Sequence, residues 1–167
     1  RTVDFGDGKT LLDLGFTLGQ FTLPAILVPL WNVLGQQEGY AIRMDNPGDR
    51  GKYQRIRGSR NAIDANPLTT KEQLRDGSQP LFITEGAKKA DAIVSQGGIA
   101  VNIAGVYNWR GANEFGWKTT LPDWDEIALN GRNVLLCFDS DVQTNINVRK
   151  ALDRLSAVLK MRGAEVW

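Results

Sequence analysis

The chain reads as an α/β protein: a mainly parallel sheet flanked by helices, preceded by a small basic lobe rich in β-structure. Three observations predict this. Past Pro80, short apolar runs alternate with stretches of helical spacing, the signature of strand–helix–strand units joined by right-handed crossovers. Before about residue 70, apolar and polar residues alternate singly between turn residues, as in hairpins. Six cations also gather within residues 41–60 (Arg43, Arg50, Lys52, Arg55, Arg57 and Arg60) against Asp45 and Asp49, in a chain whose formal net charge is only +1. The expected division is a basic lobe over residues 1–78 and an α/β domain over residues 79–167.

In the first lobe, AILVPLWNVL (25–34), the turn GQQEG (35–39) and YAIRMD (40–45) form an expected hairpin. Its second run sets Tyr40, Ile42 and Met44 against Ala41, Arg43 and Asp45, which suits a strand with one buried face. NPGDRG (46–51) is a loop by its turn residues and KYQRIR (52–57) a further short strand. Residues 65–80 form a connection with room for one helical turn. LFIT (81–84) is then a strand and AKKADAIVSQ (87–96) a helix stopped by Gly97-Gly98. IAVNIA (99–104) is the next strand, and after an aromatic-rich loop NVLLCFD (133–139) is the clearest buried strand in the chain. Val148, Ala151, Leu152, Leu155, Val158 and Leu159 have helical spacing, with Asn145 as the expected cap and Gly163 as the stop. AEVW (164–167) starts another strand, so the sheet is expected to be incomplete at this end.

The 167 residues allow one substantial domain or two small lobes. With 42% hydrophobic and 23% charged residues the composition is that of a globular protein. The chain has no histidine and one cysteine, Cys137, which excludes cysteine-rich zinc sites, a histidine-based triad and an internal disulfide. Acid–base or metal chemistry then falls to carboxylates, lysines or tyrosines, and carboxylates favour hard cations such as magnesium or manganese. No apolar run approaches the roughly 18–20 residues that span a bilayer. LPAILVPLW (23–31) is short and broken by Pro24 and Pro29, and no secretory signal stands at the start, so a cytoplasmic location is expected. The start at Arg1 is that expected of an excised fragment.

The chemistry sits where the apolar runs stop. Glu85 follows strand 81–84, and Asp139 and Asp141 follow the strand ending at Phe138. All three fall at the carboxyl ends of expected parallel strands, the edge where open α/β sheets bind ligands. Asp139 and Asp141, two apart, point the same way about 6.6 Å apart in an extended segment. Like charges so placed cost several kcal/mol to bury unless a cation or protons neutralise them. A divalent cation does so directly, which predicts an acidic metal site. The competing reading makes these acids helix caps or first-turn residues favoured by the helix dipole.

TEGAKKADAIVSQGGIAVNIAG (84–105) and CFDSDVQTN (137–145) together resemble the Toprim domain of topoisomerases, bacterial-type primases and certain nucleases. That domain pairs a Glu-Gly after its first strand with an Asp-x-Asp after a later one, and Gly105 matches its glycine after the intervening strand. Over residues 79–167 the chain is similar to the Toprim-like family attached to phage and plasmid replication proteins, many of them primase–helicase fusions. GVYNWRG (105–111), LPDWDEIAL (121–129) and NVRKALDRL (147–155) carry that likeness. The first lobe, through Pro29, Gly39, Arg43, Lys52-Tyr53 and Ser59, resembles the basic lobe of bacterial-type primases.

The resemblance implies that Asp139 and Asp141 hold Mg2+ (or Mn2+), that Glu85 is a metal ligand or general base, and that Arg43, Lys52 and Tyr53 contact template and nucleotide. Lys88 and Arg110 are further candidate phosphate contacts. Ser140 stands where the family has a glycine, no zinc-binding module is present, and a later family acid would lie beyond Trp167. Tyr107, Trp109, Trp117 and Trp124 are expected to pack an insertion onto the sheet rather than to stack bases. Cys137 is expected in the core.

The function implied is metal-dependent primer synthesis on single-stranded DNA from nucleoside triphosphates, by a domain of a phage, plasmid or mobile-element replication protein acting with a helicase domain or replication partner. The rivals are a Toprim-type nuclease and a non-catalytic nucleic-acid-binding module.

Overall fold

The computed structural model describes residues 2–138 and 145–167. The chain is a mixed α/β protein with sheets of four, five and two strands. It divides into two compact units, one of residues 1–30 and 37–60, the other of residues 31–36 and 61–167.

In the smaller unit, β1 (Thr2–Val3), β2 (Ala25–Trp31), β3 (Gln37–Met44) and β4 (Tyr53–Arg55) form one sheet in the order β1-β2-β3-β4. A short helix, α1 (Gly8–Asp13), precedes β2. Ile42 and Met44 of β3 are fully buried and Tyr40 joins them at the edge of a core with Val3, Leu11, Phe16, Ala25 and Leu27. The alternation is kept in part: Arg43 is half-buried between the two core residues, but Ala41, on the face expected to be open, is buried as well.

In the larger unit, β5 (Asp64–Ala65), α2 (Lys71–Arg75), β6 (Leu81–Thr84), α3 (Ala87–Ser95) and β7 (Ile99–Asn102) follow in order. After them come a hairpin, β8 (Arg110–Ala112) and β9 (Lys118–Thr120), then β10 (Asn133–Cys137), α4 (Ile146–Met161) and β11 (Glu165–Val166). The main sheet runs β11-β10-β6-β7-β5. β6 pairs parallel with β7 and β10, and β10 parallel with β11, while β5 joins β7 antiparallel. The sheet is therefore mixed, its one antiparallel pair lying at the β5 edge.

That edge corrects the expected lobe boundary at 78/79, since residues 61–78 belong with the larger unit. The reason is packing. Ile63, Ala65 and Leu74 lie in the same core as Leu81, Ile83, Val101 and Leu155. α2 is the helical turn expected in this connection, and a reciprocal cap starts it. Thr70 Oγ1 accepts from Gln73 N at 3.2 Å, and Gln73 Oε1 accepts from Thr70 N at 2.8 Å.

α4 follows its spacing closely. Ala151, Leu152, Leu155 and Leu159 are buried, with Val148 and Val158 against the same core. Each fully buried leucine contributes about 1.5–3 kcal/mol. Asn145 Oδ1 caps the start by accepting from Asn147 N at 3.0 Å and Val148 N at 3.4 Å. The helix ends in a Schellman turn in which Gly163 N donates to Lys160 O at 2.9 Å and Ala164 N to Leu159 O at 3.1 Å. Gly163 holds φ +88°, and a Cβ there would stand 3.1 Å from Asn130 Cα, so the stop needs glycine twice over.

Past α2, Asp76 accepts from Ser78 N and Ser78 Oγ, each at 2.9 Å, and these bonds, the backbone one first, hold its carboxyl below the ordinary 3.8. Because the folded value is depressed, this contribution to stability is complete above pH 3.8 and is lost as pH falls through the lower folded value. A carbon-13 titration of Asp76 should give a midpoint below 3.8, and a midpoint at or above it would contradict these bonds.

Candidate functional site

Strand register builds one polar rung across the larger unit. Cys137 of β10 lies opposite Thr84 of β6, Thr84 opposite Asn102 of β7, and Asn102 opposite Asp64 of β5. β6 and β10 therefore end flush, and neighbouring strands stand about 4.8 Å apart. Glu85 is one residue past β6 and Phe138 one residue past β10, at the same edge of the sheet. Both are half-buried.

Asp139 and Asp141, the next expected members of the site, lie outside the described residues. Among the described residues no group of three or more His, Cys, Asp or Glu could hold a metal ion. The described part of the expected donor set is the carboxylate of Glu85, an oxygen donor of the kind magnesium takes. Gly86, directly after it, has ordinary extended backbone at φ −159°, and a Cβ there would meet nothing within 4 Å. Neither conformation nor packing among the described residues demands glycine at 86.

α3 begins at this edge. Lys88, expected to reach phosphates, is exposed, whereas Lys89 is half-buried. Lys89 is also close enough to act on Cys137. Burial pushes the Cys137 thiol above its ordinary 9.0, and the Lys89 charge pulls the other way. Cys137 is half-buried at the end of β10 rather than in the core interior.

The rung also holds residues that sequence reasoning passed over. Asn102 is 4% exposed and donates from Nδ2 to Asp64 Oδ2 at 3.2 Å, while its own Oδ1 is buried with no hydrogen-bond partner. Asp64 Oδ1 accepts from Trp31 N at 2.9 Å. Thr84, fully buried, donates from Oγ1 to Gly86 O at 3.1 Å. A signal was present, since Asn102 interrupts the apolar run IAVNIA just where β7 ends.

In the smaller unit, the structure brings Arg43, Lys52 and Tyr53 together. Arg43 lies directly opposite Tyr53 on β3 and β4, and Lys52 O accepts from Met44 N at 3.0 Å. Lys52 and Tyr53 are exposed. Arg43 Nη1 stands 3.4 Å from Asp45 Oδ1, a half-exposed pair of small energetic weight. Arg60 Nε binds Glu38 Oε1 at 2.5 Å, while Arg50 and Arg57 are exposed.

The aromatic insertion divides in two. Trp109 and Trp124 are buried, and Trp124 Nε1 donates to Trp109 O at 2.9 Å, as expected of a packed insertion. Trp117 and Tyr107 depart from that expectation, at 73% and 44% exposed. The Tyr107 hydroxyl donates to Asn147 O at 3.1 Å at the start of α4. The Arg110 guanidinium lies over both neighbouring rings, 5.9 Å from Tyr107 and 5.4 Å from Trp109. Gly105 enters this insertion at φ +102°, a backbone that L side chains rarely adopt.

Residues 72–167 match the family described as "Domain of unknown function (DUF3854)". An uncharacterized protein of Picosynechococcus sp. is 35% identical over an aligned length of 96 residues, which covers 52% of this chain and 10% of that protein. The chain thus spans about a tenth of that relative's length. Among solved structures, the zinc-binding and RNA polymerase domains of the Aquifex aeolicus primase are similar, with a TM-score of 0.57 and 17% identity over 86% of this chain and 33% of that one. The likeness shows a shared fold. Among the described residues, no helix is long and apolar enough to cross a membrane.

Proposed function

The chain belongs to the DUF3854 family, and we propose that it is a primase-like nucleotidyltransferase domain of a phage, plasmid or other mobile-element replication protein, working beside a helicase domain or another replication partner. One observation carries this reading. The flush ends of β6 and β10 bring Glu85 to the edge from which the chain runs on to Asp139 and Asp141. The fold shared with a bacterial primase supports it, as does the Toprim-like pairing of Glu85-Gly86 with Asp139-Ser140-Asp141.

In the proposed reaction, the 3′-hydroxyl of a nucleotide on the template attacks the α-phosphate of an incoming nucleoside triphosphate. A phosphorus–oxygen bond forms to that hydroxyl, and the bond to pyrophosphate breaks. Glu85 accepts the hydroxyl proton as general base. Asp139 and Asp141 would hold Mg2+ (or Mn2+), with Glu85 as a further ligand in the alternative in which it is not the base. When bound, the ion supplies charge neutralisation at the phosphates and lowers the pKa of the hydroxyl. Arg43, Lys52 and Tyr53 bind template and nucleotide in the smaller unit, a role supported by the exposure of Lys52 and Tyr53 and by the pairing of Arg43 with Tyr53. Lys88 and Arg110 are proposed phosphate contacts.

The test supplies single-stranded DNA, nucleoside triphosphates and magnesium or manganese. Short oligonucleotides should appear with the native chain and vanish with Asp139→Asn, at an unchanged melting temperature. Degradation of the strand without triphosphates would replace this reading with a nuclease. Binding indifferent to Asp139→Asn, with no product, would leave a binding module.

A further inference from the structure

The hairpin of β8 and β9 holds two large aromatic side chains out in water. Phe115 is 76% and Trp117 73% exposed, although Trp109 and Trp124 of the same insertion are buried. Their loop is not slack. Asn113 N donates to Trp117 O and Gly116 N to Asn113 O, each at 2.9 Å, while Asn113 Oδ1 accepts from Phe115 N at 3.1 Å and Trp117 N at 2.9 Å. One asparagine thus closes the turn from both sides, and Gly116 supplies its positive φ of +77°. Two rings are therefore held by a preorganised turn, each forgoing the burial that would contribute about 1.5–3 kcal/mol.

The neighbours indicate what the rings meet. Between Arg110 and Thr120 the large apolar side chains are aromatic, with no Leu, Ile, Val or Met among them. Lys118 lies opposite Ala112 and Arg110 opposite Thr120, so the two cations share one face of the two-stranded sheet. Glu114 is the one acid of the segment. Aromatic rings are enriched at protein interfaces as well as in base-stacking sites, and it is the flanking cations, suited to phosphates, that favour a nucleic acid.

We infer that Phe115 and Trp117 form a stacking site for the bases of single-stranded nucleic acid, with Lys118 taking the adjoining phosphate. This rests on the nucleic-acid reading of the chain and adds to it a strand contact on the β8–β9 hairpin.

The experiment measures the affinity of the full chain for an oligothymidylate and for an abasic strand of equal length, alongside oligonucleotide synthesis. Base stacking should favour the thymidylate on the order of fivefold to a hundredfold. Phe115→Leu combined with Trp117→Leu keeps apolar area but removes the π-faces. It should erase that preference while leaving abasic-strand affinity and melting temperature unchanged. A preference that survives the double substitution, or its absence from the native chain, overturns the inference. If synthesis proceeds with no thymidylate preference, the stacking site alone is wrong. If the preference is present and lost on substitution while synthesis is absent, the stacking site stands and the catalytic reading falls.

Discussion

Glu85→Gln is expected to slow metal-dependent oligonucleotide synthesis by a factor on the order of 100 to 10,000, the usual worth of a positioned general base. The substitution changes almost no volume and removes a proton acceptor and a formal charge. Glu85 is half-buried, one residue beyond a strand whose last residue, Thr84, is fully buried. The strand beneath it is anchored by Leu81 and Ile83, both fully buried. The melting temperature should therefore hold, and binding of single-stranded DNA through the basic patch should keep its fall with rising salt. Glu85→Asp retains the charge but shortens the reach, and should restore part of the rate at raised manganese. Undiminished synthesis by Glu85→Gln would remove Glu85 from the chemistry. A large fall in melting temperature would make it a structural residue instead.

How much of this was legible beforehand depended on whether a residue's fate is set locally. The run at 133–137 is strand β10, as its apolar residues predict, but only Val134 of it is buried, whereas all four residues of β7 are, so the most buried strand of the described sheet is β7. The spacing of α4, its Asn145 cap and its Gly163 stop are likewise local, and all three appear in the structure. β5 could not be read this way. Two residues carry no periodicity, and Asp64–Ala65 is a strand because β7 offers it an edge. The β8–β9 hairpin escaped too, since Gly111, Ala112, Thr119 and Thr120 show no apolar alternation and its closure rests on the bonds of Asn113. Trp117 was misjudged for a related reason. An aromatic residue usually gains by burial, and nothing in the three tryptophans and one tyrosine of 107–124 marks which ring the turn will leave outside. The acids were legible as a spaced motif, and register supplied the part no sequence carries, the flush ending of β6 and β10.

Arg132 is the clearest case of a fate set by distant segments, and Arg132→Met should destabilise the larger unit by about 3 kcal/mol or more. Its side chain is wholly buried. Nε donates to Gln79 O at 2.8 Å, Nη1 to Leu74 O at 2.8 Å and Ala128 O at 3.3 Å, and Nη2 to Gln73 O at 3.1 Å. Gln73 and Leu74 lie in the last turn of α2, where carbonyls have no partner within the helix, so the guanidinium closes that end. Burial lowers its pKa and the charge of Asp76 works against that.

Replacing a buried ion by a hydrophobe of similar size can be neutral, because desolvation is avoided. Here the outcome turns on the acceptors. Leu74 O keeps Ala128 N at 2.9 Å, but methionine offers Gln73 O and Gln79 O no donor. Both bonds are part-buried, and each acceptor left without a donor costs up to about 1–3 kcal/mol, more than the modest difference in transfer energy returns. Lysine, with one nitrogen in place of a planar fork, cannot reach carbonyls on three sides and should rescue only in part. The loss should be flat between about pH 6 and pH 9, since a guanidinium stays charged throughout. Urea unfolding followed by tryptophan fluorescence reports it, with Trp109 and Trp124 buried in this unit. At about 2 kcal/mol per molar, the midpoint should fall by roughly 1.5 M or more. A shift under about 0.3 M would mean that water satisfies the stranded carbonyls and that Arg132 is dispensable to the fold.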